Sequence, residues 1–139
     1  MDKWNRQFGT TADVGVEAFG PTLKDAFEQQ ALGMSDIMVD PASVEKRLEF
    51  RLKVSGNDEE SLLASFLEEV LFLVDARGCF FSDIVITSLD KLTVEAVVRG
   101  EEIDPEKHII KTPVKAVTYH QLTVRHDRDG VYTRVVYDI

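Results

Sequence analysis

The stretch RLEFRLKV, residues 47–54, sets the narrowest limit on what this chain can become. Leu48, Phe50, Leu52 and Val54 alternate with Arg47, Glu49, Arg51 and Lys53. A period of two sends the apolar four to one face and the charged four to the other. That pattern suits an antiparallel strand with one face in water, not a parallel strand buried on both sides. The expected strand covers residues 44–55. Directly after it, Gly56-Asn57-Asp58 turns into a second pattern, with Leu62, Leu63, Phe66, Leu67, Val70, Leu71 and Val74 at helical spacing over residues 59–75. Phe72 and Leu73 broaden that stripe. Asn57 or Asp58 can cap the helix and Gly78 can end it. A helix this apolar lies across a sheet or in a partner interface, and the sheet is the expectation here.

The flanking segments supply that sheet. Residues 3–8 form a short expected strand, residues 9–13 a turn of small and polar side chains, and VGVEAF, residues 14–19, a second strand closed by Gly20-Pro21. Residues 22–38 carry Leu23, Ala26, Phe27, Ala31, Met34, Ile37 and Met38 at spacings of three and four, an amphipathic helix whose methionines fill the core. Thr22 and Asp25 resemble a capping box, and Asp40-Pro41 ends the helix. Residues 79–87 and 92–99 are strands about a turn at residues 88–91, and residues 100–111 are a charged loop. KTPVKAVTYH, residues 111–120, opens a strand that continues through Leu122 and Val124 to Asp127. Asp129-Gly130 turns the chain back along residues 131–137. The expected fold is α+β, a mostly antiparallel sheet or sandwich of about six to seven strands with two amphipathic helices packed on it, forming one domain over residues 1–139.

Charge and composition narrow the function. Apolar residues make up 44% and charged residues 29%, an ordinary globular balance for 139 residues. No apolar run approaches the roughly 20 residues that span a bilayer, and MDKWNRQFG has no secretory h-region. A single Cys79 makes no internal disulfide, and no Cys/His zinc spacing exists. The expected location is the cytoplasm. A net charge of −9 repels phosphate, so strong direct binding to RNA or DNA is not expected, and any RNA role should run through a basic partner protein.

Three places could carry chemistry. Lys115, between the β-branched Val114 and the small Ala116, projects from the expected strand; a solvated lysine guarding a sheet edge is the plain alternative. Asp13 stands at a strand entrance, where an ordinary Asx-turn is an equal reading. Asp138 and the α-carboxylate of Ile139 would be adjacent if the terminus is anchored, and with Asp13 they would make a weak oxygen site for Mg²⁺, Mn²⁺ or Ca²⁺. No local pattern joins residues 13 and 138.

In order and spacing, Thr11-Ala12-Asp13-Val14-Gly15, the helix over residues 22–38, Val114-Lys115-Ala116-Val117-Thr118-Tyr119-His120 and the closing Asp138-Ile139 resemble the archease family over essentially the whole chain. Gly100-Glu101 and Asp104-Pro105-Glu106-Lys107-His108 between them resemble it too. The resemblance implies a small α+β protein that assists an RtcB-type RNA-splicing ligase. Such ligases join a 2′,3′-cyclic phosphate or 3′-phosphate end to a 5′-hydroxyl, using GTP, a divalent metal and a guanylylated histidine of their own. The implied role is to promote that guanylylation and repeated turnover without being an enzyme. The family's metal site falls on Asp13, Asp138 and Ile139, and its functional lysine on Lys115. His108 and His120 match family positions, although hydrogen-bonded structural histidines are the plainer reading, and His126 is expected to be exposed. The family's usual histidine is replaced by Thr10, which offers a hydroxyl but no nitrogen ligand. Pro113 stands where an acidic residue is common.

Two other readings compete. The same carboxylates and Lys115 could serve a small metal-dependent phosphohydrolase, but no nucleophile–base pair or Gly-rich phosphate loop accompanies them. The acidic surface or the second helix could instead serve a general protein-binding chaperone, or a modulator of an RNA-modifying enzyme such as a methyltransferase.

Overall fold

The computed structural model describes residues 2–9 and 13–139; the motif residues Thr10, Thr11 and Ala12 lie outside them. The elements follow as β1 (Trp4–Gly9), β2 (Asp13–Gly20), α1 (Leu23–Met38), β3 (Leu48–Ser55), α2 (Glu59–Arg77), β4 (Cys79–Asp90), β5 (Thr93–Glu102), β6 (Ala116–Val117), β7 (Thr123–Asp127) and β8 (Gly130–Asp138), with a single 3₁₀ turn at Pro41–Ser43. Two antiparallel sheets result. The larger runs β1-β2-β8-β6, with β7 also paired to β8, and the smaller runs β3-β5-β4. The α+β expectation therefore holds. Among the described residues no helix is long and apolar enough to cross a membrane.

Each helix touches both sheets. Helix α1 packs on β1, β2 and β8 and also on β4, while α2 packs on β3, β4 and β5 and also on β6 and β7. That double contact is why α2 is so broadly apolar: Leu62, Leu63, Phe66 and Leu67 are all fully buried. The caps follow the local chemistry. Thr22 accepts from the Asp25 N–H, Asp58 and Ser61 close a capping box, and Gly78 takes the left-handed conformation that ends α2.

Four buried polar groups lock α1 to the larger sheet. The Gln30 amide donates to the Val16 carbonyl at 3.1 Å and to the Thr133 hydroxyl at 2.9 Å, and its oxygen accepts from the Tyr137 hydroxyl at 2.7 Å. Gln30, Thr133 and Tyr137 are completely buried. Burial also holds the Tyr137 hydroxyl well above its ordinary pKa, so it remains a donor. On its other side α1 covers the outer edge of β4, where two irregularities interrupt the pairing with β5. There the Ile86 N–H donates to Glu28 at 2.7 Å and the Ser35 hydroxyl to the Phe81 carbonyl. These bonds occupy groups that an open strand edge would leave unpaired.

Several expected boundaries move. Strand β3 begins at Leu48, not at residue 44; α2 runs on to Arg77; and Gly100, Glu101 and Glu102 belong to β5. The β4–β5 turn lies at Lys91 and Leu92, both with positive φ, later than the expected 88–91. The largest correction concerns the single strand expected from Lys111 to Asp127, which is two strands, β6 and β7. Ala116 faces Asp138 and Thr123 faces Arg134, so seven steps on one side meet four on the other and three residues must loop out. Thr118 starts that loop, with its N–H and hydroxyl both donating to the Val136 carbonyl, and Gln121 adopts φ 54°.

Tyr137→Phe strands the Gln30 oxygen and is expected to cost about 1–3 kcal/mol; Gln30→Leu strands more groups and should cost more. Adding Tyr137→Phe to Gln30→Leu removes the stranded hydroxyl, so the double variant should lose less than the sum of the singles. Urea unfolding of all three measures this, and strict additivity would show that the groups are not coupled.

Candidate functional site

The β2–β8 register answers what local sequence left open. Asp13, the first residue of β2, faces Asp138, the last of β8, and Asp138 in turn faces Ala116 of β6. Facing residues of an antiparallel pair share one side of the sheet, with Cβ atoms about 4.5–5.5 Å apart. The Lys115 N–H donates to the Asp138 carbonyl at 2.8 Å. Residues 13, 115 and 138 thus meet at one end of the larger sheet. Ile139 is half-buried and packs against the core, which anchors the residue after Asp138. Asp138 and Lys115 are exposed and Asp13 is half-buried.

Lys115 sits one residue before β6, not within a long strand as expected. Its side chain lines a depression of about 460 Å³ against α2, together with Phe72, Asp75 and Tyr119. None of the ion pairs among the described residues engages its ammonium. A flexible cation of this kind suits a phosphate oxygen.

A strap leading to Lys115 is fixed at both ends. The Asp40 N–H donates to the Ile109 carbonyl, while the Lys111 and Thr112 N–H groups donate to the Met38 and Ile37 carbonyls at the end of α1. The Lys111 ammonium adds a bond to Asp36 at 2.9 Å. Upstream, Glu101 receives the Glu45 N–H at 2.8 Å, His108 Nε2 at 2.8 Å and Lys107 Nζ at 2.9 Å. His108 Nδ1 accepts from the Asp104 N–H at 3.0 Å, which places the ring proton on Nε2 as donor to Glu101.

The residues of the charged loop are thereby sorted. Glu101 and His108 are both buried and spent on each other, so His108 is a structural histidine. His120 is exposed, and its backbone N–H bonds the Thr118 hydroxyl. His126 is exposed as expected, with Nε2 2.7 Å from Glu59. Among the described residues no three His, Cys, Asp or Glu side chains gather closely enough to hold a metal. Phe72, expected to broaden the apolar stripe of α2, is instead exposed, and Tyr119 is a surface feature that sequence reasoning missed. For Phe72 the available signal was its place in the outward helical row between Glu68 and Asp75.

The backbone N–H of Glu45 first, then His108 and Lys107, hold the Glu101 carboxyl down at about 2 from an ordinary 4.5. A depressed carboxylate contributes stability that is complete above about 4.5 and is lost as pH falls toward 2. Glu101→Gln is therefore expected to lower Tm by several degrees at neutral pH, with the gap to wild type closing over that acid interval. Thermal unfolding across pH measures it; a gap constant with pH would disconnect Glu101 from acid stability.

Comparison with known proteins finds relatives over nearly the whole chain. Residues 6–139 match the Archease protein family. Protein archease of Pyrococcus furiosus is 42% identical over 133 residues, covering 94% of this chain and 93% of that protein. The archease-like protein of Dictyostelium discoideum is 34% identical over 134 residues, covering 93% and 89%. A Methanobacterium thermoautotrophicum protein solved in solution superposes with TM-score 0.81 at 34% identity, over 97% of this chain and 98% of that one. An archease from Thermotoga maritima, named a possible chaperone, shares the fold at TM-score 0.66 and 18% identity, over 96% of each chain. The chain belongs to the archease family.

Proposed function

From that membership we propose that the chain is a non-catalytic protein cofactor of an RtcB-type RNA ligase, promoting ligase guanylylation and repeated turnover. The observation that carries the reading is the convergence of Asp13, Asp138 and Lys115, which are far apart in sequence, at one end of the larger sheet. The donor set fits a hard divalent cation. Asp13 and Asp138 would offer carboxylate oxygens, and, since no third such side chain joins them among the described residues, the Ile139 α-carboxylate would be the third donor. Ca²⁺, Mn²⁺ or Mg²⁺ would be held there, and its charge would offset developing negative charge on a phosphate. Lys115 would contact a phosphate oxygen as a point charge in the partner's active site. GTP and the covalent chemistry belong to the ligase. A chain of net charge −9 need not grip RNA itself.

The test is ligation by the matching RtcB-type ligase with RNA in about tenfold excess, with and without this protein. Wild type should turn a stalled single round into continuing turnover. Asp13→Ala, Asp138→Ala and Lys115→Ala should each reduce that stimulation by about a hundredfold, with folding retained by circular dichroism. No effect of wild type at saturating GTP and Mn²⁺ would overturn the reading, and the broader chaperone-like role named for the Thermotoga maritima protein would replace it.

The cation site has its own readout. At about a hundred times Kd, Mn²⁺ or Ca²⁺ is expected to stabilise wild type by about 2.7 kcal/mol and to leave Asp138→Ala unchanged. Denaturant unfolding with each ion, against an EDTA control, measures this; equal stabilisation of both proteins would remove the ion from Asp138.

A further inference from the structure

Large apolar side chains in water usually stand alone and need no explanation. Phe72 and Tyr119 are different. With Ile109 they are the most exposed large apolar residues described, at 59% and 62%, and both line the depression that holds Lys115. Phe72 lies in the row Glu68-Phe72-Asp75 on the outward side of α2, where helix stability calls for no aromatic ring. It also walls a second hollow of about 500 Å³ that includes Glu68 and Glu69. Phe72 therefore stands as a ridge between two hollows bordered by carboxylates, with Tyr119 lining the one that holds Lys115. Aromatic anchors of this kind dominate the energetics of protein interfaces.

The charges identify what fits. Glu68, Glu69 and Asp75 border the ridge, Lys115 stands at its end, and the whole chain carries −9. A second copy would bring carboxylates against carboxylates, so self-association is disfavoured. We infer that the Phe72–Tyr119 face docks the partner ligase, on a protein surface that offers an apolar recess bordered by Lys or Arg. This rests on the ligase-cofactor reading and adds where the partner sits. Docking here would bring Lys115 to the contact while the two carboxylates occupy the neighbouring end of the sheet.

The experiment measures affinity for the matching ligase by calorimetry, alongside turnover at rising cofactor concentration. Phe72→Ala with Tyr119→Ala is expected to weaken binding by about thirtyfold, and turnover should recover when the variant is supplied in compensating excess. Asp13→Ala should not recover at any concentration, which separates docking from chemistry. Glu68→Lys with Asp75→Lys should slow association at low salt, with the difference shrinking as salt rises. If wild type binds and activates but the aromatic variant binds equally well, the docking face is wrong and the cofactor reading stands. If wild type neither binds nor activates, both fall. Sedimentation showing a wild-type dimer that the aromatic variant abolishes would assign the face to a second copy and overturn the proposal. Both positions are exposed, so unchanged Tm is the control for folding.

Discussion

The buried amide of Gln30 is the constraint on which the larger sheet depends. A side-chain amide sealed from water must satisfy its donors and its acceptor inside the protein or cost several kcal/mol. Here its partners lie on both central strands, Val16 on β2 and Thr133 with Tyr137 on β8. Apolar packing alone would tolerate small slips of α1 over the sheet, because Val and Leu contacts have little direction. The Gln30 bonds do not. A one-residue slip of β8 against β2 would turn Thr133 and Tyr137 away from the helix and take Asp138 off Asp13. Thus a polar group deep in the core determines which carboxylates meet at the sheet end.

What the sequence made legible follows from how local each feature is. The alternation in β3 and the apolar stripe of α2 are written in consecutive residues, and both elements stand where their periods put them. The meeting of Asp13 with Asp138 was not legible from the pattern alone, because it depends on the register of strands more than a hundred residues apart. Lys115 stands out in the sequence as a lysine among β-branched residues, yet its supposed strand was misjudged. Val, Thr and Tyr in KTPVKAVTYH carry strand propensity throughout, but β8 can pair only part of the segment before the register fails. Propensity described the residues; the partner strand decided which of them could be paired.

The charged loop shows the same limit in its chemistry. In one dimension Glu101, Asp104 and His108 are only members of a charged loop. In three, Glu101 receives a backbone N–H, an imidazole and an ammonium, and His108 uses both nitrogens within the loop. A carboxylate so fully occupied would have to surrender several hydrogen bonds to bind an ion. Asp138, exposed at a strand end, would not. The eye-catching cluster holds the strap in place, and the plainer residue at the end of β8 faces solvent.

That division explains how a small protein can position a mobile lysine. A lysine side chain has four rotatable carbons, and a phosphate contact gains little if its backbone also wanders. Lys115 has a flexible head on a fixed base. Its N–H is bonded to β8, residues 109–112 are tied to the end of α1, and Val114 beside it is buried. Glu101 and His108 hold the upstream end, and Gln30 holds the sheet that receives the downstream end. The strap has therefore lost its backbone freedom on folding, before any partner arrives. On the proposed reading, binding would then have to order only the lysine side chain, and more of the interaction energy would remain for bringing its charge to a phosphate.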